Sequence, residues 1–291
     1  MGSGSWRRDT FTAYSCGLGR TVDTMGTVSG NYTAQEMFRQ RGIAPELDPK
    51  NVMRECCDSE EHPNTKPVIL ALDVTGSMGG ASVKVAKELN VIMTELYEKV
   101  QDVEFLIMGI GDLAYDCAPI QASQFESDIR IAEQLDKIYF EGGGGGNAFE
   151  SYTAAWYFGL NHCKLDCWNR GKTGIIITLG DEPLNPYLPP RTLSNVTGDD
   201  FLQGDVETSE LYKDVIQKYD VYHLAVNDSE TSYFRYADRI KDSFGKYLDD
   251  NHLKIVNMDN LASTIVNIVA RSEENMAQVD VNTDENGAIS W

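Results

Sequence analysis

The sequence predicts an α/β fold, a doubly wound and mostly parallel six-stranded sheet flanked by helices. Three observations predict it. Apolar runs of strand length alternate with amphipathic stretches of helix length from residue 66 onward, which is the pattern of a parallel sheet with crossover helices. Two of those runs, 67–72 and 174–179, are apolar at nearly every position, as strands buried on both faces must be. Both run into acidic residues, Asp73 and Asp181, on the edge where open sheets collect ligands.

The elements follow in order. Residues 1–62 form an N-terminal extension rich in Gly, Ser, Thr and Asn, with one short helical stretch near 34–41 and interruptions at Pro45 and Pro49. The first strand covers 67–72. A helix over about 80–100 follows, with Val85, Leu89, Ile92, Met93, Leu96 and Val100 on one face. The second strand is 103–108 and a short third lies near 118–121. A helix over about 128–138 leads to the glycine run 142–146. Next comes a helix from about Phe149 whose Tyr152, Ala155, Trp156, Gly159 and Leu160 share a face. The fourth strand is 174–179, followed by a loop rich in Pro, Asn and Gly over 183–204. A helix at 209–218, a strand at 221–226, a helix around 236–244 and a strand at 252–257 follow. A last helix carries Leu261, Ile265, Ile268 and Val269. Residues 273–291 are an acidic tail or hairpin with a turn signal at Glu285-Asn286-Gly287.

Composition sets the outer bounds. At 42% hydrophobic and 24% charged, the 291 residues have ordinary globular proportions. Forty-five acidic residues against 25 basic ones give a net charge of −20, which argues against nucleic acid and anionic membrane as partners and favours cations or basic protein surfaces. With no apolar run of spanning length and no hydrophobic signal core at Met1-Gly2-Ser3-Gly4-Ser5, the expectation is a cytoplasmic protein. Six cysteines are too sparse for a disulfide framework. His162, Cys163 and Cys167 have metal-like spacing but no clear fourth ligand, so a helix terminus is the expected role. Cys56 and Cys57 are expected to be plain thiols, and the four histidines to pack at the surface or at strand edges.

The chemistry concentrates where strands one and four end. Asp73, Thr75 and Ser77 alternate along Asp73-Val74-Thr75-Gly76-Ser77, so their side chains can face one point. Two hydroxyls with several carboxylates, and no thiol or imidazole nearby, form the hard oxygen set that Mg²⁺ or Mn²⁺ prefers. The bland alternative has Thr75 and Ser77 capping a helix, with Asp73 and Asp181 as solvated loop residues. Asp112 and Asp116, after strand two, are expected to serve a turn.

This five-residue segment resembles the Asp-x-Ser/Thr-x-Ser motif of von Willebrand factor A domains, the first segment of their metal-ion-dependent adhesion site. The resemblance covers about 63–272 and identifies that stretch as the domain. It implies that Thr75 and Ser77 touch the metal and that Asp73 acts largely through water. Asp181, in Leu179-Gly180-Asp181-Glu182, takes the place of the family's acidic residue after the fourth strand, with Glu182 as a neighbouring competitor. Gly144-Gly145-Gly146-Asn147-Ala148-Phe149-Glu150 is similar to the Gly-rich variant of the second segment, so Glu150 stands where most members have Thr. Met78, Gly79 and Gly80 follow Ser77, so no adjacent second cation site is expected.

The implied function is that of an intracellular bacterial adaptor which captures a partner's Asp or Glu through the cation and is no enzyme. MoxR-type AAA+ ATPases or kinase and phosphatase modules are the implied partners. A rival resemblance is to haloacid dehalogenase-like phosphohydrolases, in which Asp73 would be a nucleophile and Asp181 a Mg²⁺ ligand. Asn185 does not complete that family's metal segment, Lys172 lies at the wrong end of strand four, and the glycine run ending at Glu150 has no place there.

Overall fold

The structure is a computed structural model that describes residues 4–143, 147 and 149–271. Its centre is a six-stranded sheet of β1 (Lys66–Asp73), β2 (Val103–Ile110), β3 (Ile120–Ala122), β4 (Gly174–Gly180), β5 (Tyr219–Val226) and β6 (Leu253–Val256), in the order β6-β5-β4-β1-β2-β3. Five strands are parallel and only β3 runs antiparallel, against β2. The chain winds outward from β1 in one direction and from β4 in the other. The strand order therefore reverses between β1 and β4, and a crevice opens beyond their carboxyl ends.

Alternation along β1 explains the layers. Val68, Leu70 and Leu72 point to one face, where helix α2 (Gly79–Lys99) lays down Ala81, Val85, Leu89, Ile92, Met93 and Leu96. Ile69 and Ala71 point to the other face. That face is covered by α4 (Thr153–Asn161), α6 (Thr208–Val215) and α7 (Tyr233–Phe244). Every residue of β1, β2 and β4 is buried, as the unbroken apolar runs require.

Several boundaries move. Helix α3 is only Arg130–Leu135, α4 begins at Thr153 and not Phe149, α5 (Pro190–Thr197) lies inside the loop expected over 183–204, and α7 starts earlier, at Tyr233. The stretch near 34–41 is one turn, Ala34–Met37, held by a capping box between Thr33 and Glu36. It stops because Phe38 turns extended, its ring 6.0 Å from that of Phe140. Residues 261–271 are helical, and the tail expected over 273–291 lies outside the described residues. Among the described residues no helix is long and apolar enough to cross a membrane.

The N-terminal segment holds a helix the periodicity did not reveal, α1 (Arg8–Gly17), because only Phe11 and Ser15 of it are buried. Trp6, Phe11, Val28, Met37, Phe38 and Leu47 join the hydrophobic cluster beneath α2. Arg20 is nearly buried and forks onto Asp136 at 2.8 and 2.9 Å, while Tyr14 donates to the same carboxylate at 2.9 Å. Arg20→Ala is expected to cost about 3–5 kcal/mol, because it leaves Asp136 uncompensated in a largely dry site. A urea titration checks this, and an unchanged midpoint would refute it.

Candidate functional site

The loop after β1 is shaped by Asp73 itself. Its Oδ1 accepts from the Thr75 amide at 2.9 Å and from the Thr75 hydroxyl at 2.5 Å. The Ser82 hydroxyl, one turn into α2, donates to the Asp73 carbonyl at 3.1 Å. The glycine-rich segment is stitched alongside: Gly76 donates to the Gly143 carbonyl at 2.8 Å and Gly142 to the Val74 carbonyl at 3.2 Å. Gly142 has φ +67, and a Cβ on Gly76 would stand 3.0 Å from the Gly142 oxygen, so both positions favour glycine.

Asp181 lies where β4 ends, fully buried, with Oδ2 accepting from the Ser232 amide at 2.5 Å just before α7. Burial raises the Asp181 carboxyl, and the Ser232 amide and then the Ser77 side chain pull it down, so the first predicted segment reaches the third. Glu150, also buried, sits in a parallel bridge with Leu184 in the loop after Asp181. Asp73, Thr75, Ser77, Glu150 and Asp181 thus gather on one sheet edge. Glu150 Oε2 and Asp181 Oδ1 are buried with no hydrogen-bond partner, an arrangement costly for ionised oxygens left alone.

The acids press on one another. Burial and then the charge of Asp181 push the Asp73 carboxyl well above its ordinary range, against the pull of the Thr75 and Tyr152 bonds. Glu150 is raised by burial and then by Asp73, Glu182, Asp116 and Asp112. Glu182 is pushed up to about 7 by burial, Asp181 and Asp112, while Arg239 and Arg235 oppose the rise. Such a set is satisfied by protons or by a cation.

Asp112 and Asp116 do make the expected turn, accepting from the Ala114 amide at 2.7 Å and the Asp112 amide at 2.7 Å. Asp112 goes further, since its Oδ2 is buried without a hydrogen-bond partner and its charge bears on Glu150.

Tyr152 is the site residue that sequence reasoning missed. Placed by periodicity on a core face, it is buried just before α4 and donates its hydroxyl to Asp73 Oδ2 at 2.8 Å. The same oxygen accepts from the Asp181 and Glu182 amides at 3.2 and 3.3 Å, which ties the ends of β1 and β4 together. Burial and then the charges of Asp73, Asp181 and Glu150 push its phenol well above 10, so it stays a donor. A Cβ on Gly180 would overlap that hydroxyl and ring. The glycine preceding Asp181 was the signal.

Other sequence readings resolve here. His162 closes α4, with Nδ1 against the Val52 carbonyl at 3.0 Å and Nε2 against Asp199 at 2.8 Å. Cys163 and Cys167 are buried thiols raised by burial to about 12, so this cluster is structural. His223 departs from the expected surface role. It is buried within β5, 2.8 Å from the Thr178 hydroxyl and stacked 3.8 Å from Phe244, and burial lowers it to about 3. His62 is likewise buried, against Asp102 and the Gly4 carbonyl. Asn185 is committed to its own loop, donating to the Thr153 hydroxyl and the Tyr187 carbonyl. Among the described residues no three His, Cys, Asp or Glu side chains are placed to hold a metal by themselves. The Thr75 hydroxyl beside Asp73 and the Ser77 side chain near Asp181 bring further oxygens to this edge.

No protein-family model matches the sequence, and no curated protein is similar to it. Solved structures are similar. The pilus adhesin SpaC from Lactobacillus rhamnosus GG, in its open conformation, aligns at 11% identity and TM-score 0.47 over 78% of this chain. The chain spans only 31% of that adhesin. The vWF domain of the type V pili tip protein Mfa5 from Porphyromonas gingivalis aligns at 12% identity and TM-score 0.42, over 78% of this chain and 98% of that domain. The SpRpn10 VWA domain aligns at 12% identity and TM-score 0.38, over 70% and 94%. The fold itself rests on strand order and register: a doubly wound α/β sheet with its acidic edge at the point of reversal.

Proposed function

We propose that this chain is a von Willebrand factor A-type protein-binding adaptor that holds one Mg²⁺ or Mn²⁺ at the β1–β4 edge and captures an Asp or Glu of a partner protein there. The observation that carries the reading is the pair of buried, unpartnered carboxylate oxygens, Glu150 Oε2 and Asp181 Oδ1, beside Asp73 and two hydroxyls. The donors are all oxygen, which suits a hard cation. Thr75, Ser77, Glu150 and Asp181 would hold it, with Asp73 organising Thr75. When bound, the cation supplies a coordination position for the partner's carboxylate.

Tyr152 keeps Asp73 oriented, and the Ser232 amide fixes one oxygen of Asp181 while the other has no hydrogen-bond partner. Both oxygens of Asp73 already accept hydrogen bonds, which suits a positioning role better than nucleophilic attack on phosphorus. Partner assemblies of the AAA+ ATPase or kinase and phosphatase kind remain the candidates that the motif resemblance implies.

Thermal melting and calorimetry test the reading. Mg²⁺ at about a hundred times its Kd should stabilise the native protein by about 2.7 kcal/mol, and EDTA should reverse this. Asp73→Ala and Ser77→Ala should each remove the response while the far-ultraviolet circular dichroism stays native. A melting temperature indifferent to excess Mg²⁺ and Mn²⁺ would overturn the proposal. Phosphate release from a generic ester, lost in Asp73→Asn, would favour the phosphohydrolase.

A further inference from the structure

The acidic site has a basic and aromatic border. Helix α7 begins directly after the Ser232 amide that binds Asp181, and its first turns carry Phe234, 75% exposed, with Arg235 and Arg239, both exposed. The Arg239 guanidinium carbon lies 5.2 Å from the ring centre of Phe149, the residue before Glu150, and 5.4 Å from that of Tyr236. Arg235 lies 6.0 Å from the Tyr236 ring. Both arginines act on Glu182, the residue after Asp181. The border therefore touches residues adjacent to two of the five candidate donors.

Charge arithmetic gives this border a task. Asp73, Glu150 and Asp181 ionised around a dication leave a net negative centre, with Glu182, Asp112 and Asp116 close enough to add to it. A centre of that sign repels an incoming carboxylate. Two guanidinium groups on the approach offset part of that charge where the partner must enter, in a chain whose net charge is −20. Each guanidinium also lies within 6.0 Å of an aromatic ring centre, the range of cation–π attraction, and a guanidinium is the group suited to bidentate contact with carboxylate.

We propose that Arg235 and Arg239, with Phe149, Tyr236 and Phe234, form a recognition rim for an acidic segment of a partner protein, which sends one carboxylate to the metal and a second to the guanidinium pair. This rests on the metal-site reading above. The rim makes a carboxylate pair, not a single acid, the feature selected. The surrounding acids disfavour nucleic acid despite the arginines and aromatics.

Selection from a library of random displayed peptides on the intact chain in Mg²⁺ tests the proposal, alongside Mg²⁺ calorimetry on the same preparations. The expected result is binders enriched in paired Asp and Glu. The Arg235→Gln/Arg239→Gln double variant should bind those peptides at least about tenfold more weakly, with Mg²⁺ affinity and melting temperature unchanged. Binders without acidic residues, or acidic peptides held by the double variant within about twofold of wild type, overturn the rim. Arginine-dependent acidic binders from a chain that fails to bind Mg²⁺ uphold the rim and overturn the metal reading.

Discussion

Replacing Gly180 by Ala is expected to destabilise the protein by about 2–4 kcal/mol, the cost of forcing an atom into a packed core, and to abolish the Mg²⁺ response. The new methyl would overlap the Tyr152 hydroxyl and ring, and Tyr152 has nowhere to retreat. Its ring packs 5.0 Å from that of His223 and 5.9 Å from that of Phe244. Moving it breaks the bond to Asp73 and frees the amides of Asp181 and Glu182. Tyr152→Phe separates the two effects, because it removes the hydroxyl with little change of volume. It should retain most of the stability and lose much of the Mg²⁺ affinity. Denaturant titrations of both variants with and without Mg²⁺ check this, and a Gly180→Ala protein as stable and as responsive as wild type would refute it.

The metal-free protein should lose stability as pH rises from about 7 to 8, and Mg²⁺ should flatten or reverse that slope. The sign follows from the direction of the carboxyl shifts. Asp73 and Glu150 are raised by burial and by neighbouring acids, with Glu182 raised to about 7. In this window the folded state keeps protons that the unfolded chain has released. Each retained proton makes stability fall by about 1.4 kcal/mol per pH unit. His223 does not contribute there, since its folded value of about 3 and its ordinary value both lie lower. Below about pH 6.5 it opposes the carboxylates, because only the unfolded chain takes up its proton. Urea titrations across pH with Mg²⁺ or EDTA measure both slopes. Parallel curves under the two conditions would contradict the account.

The sheet was legible because β1, β2 and β4 are apolar at almost every position, a pattern that solvent-facing strands do not carry. The alternation of Asp73, Thr75 and Ser77 marked three side chains that could face one point. Asp181 followed from the place where β4 stops. Tyr152 did not follow, because a tyrosine on an apolar helical face reads as core until Gly180 is seen to clear space for its hydroxyl across the fold. The rim was hidden for a related reason: Phe149 and Arg239 stand 90 positions apart and meet only when α7 packs against β5. Helix α1 escaped because it buries too little to leave a period.

The buried fork of Arg20 on Asp136 also sets a timetable for synthesis. Its partners are 116 residues apart, and Trp6 waits for Asn90 across 84. At the usual pace of about 5–20 residues per second, Arg20 leaves the ribosome on the order of ten seconds before the carboxylate that neutralises it exists. Until α2 follows, Trp6, Phe11 and Phe38 have no helix to pack beneath. Those aromatics are thus made before the surface they cover, and find their place only after it exists.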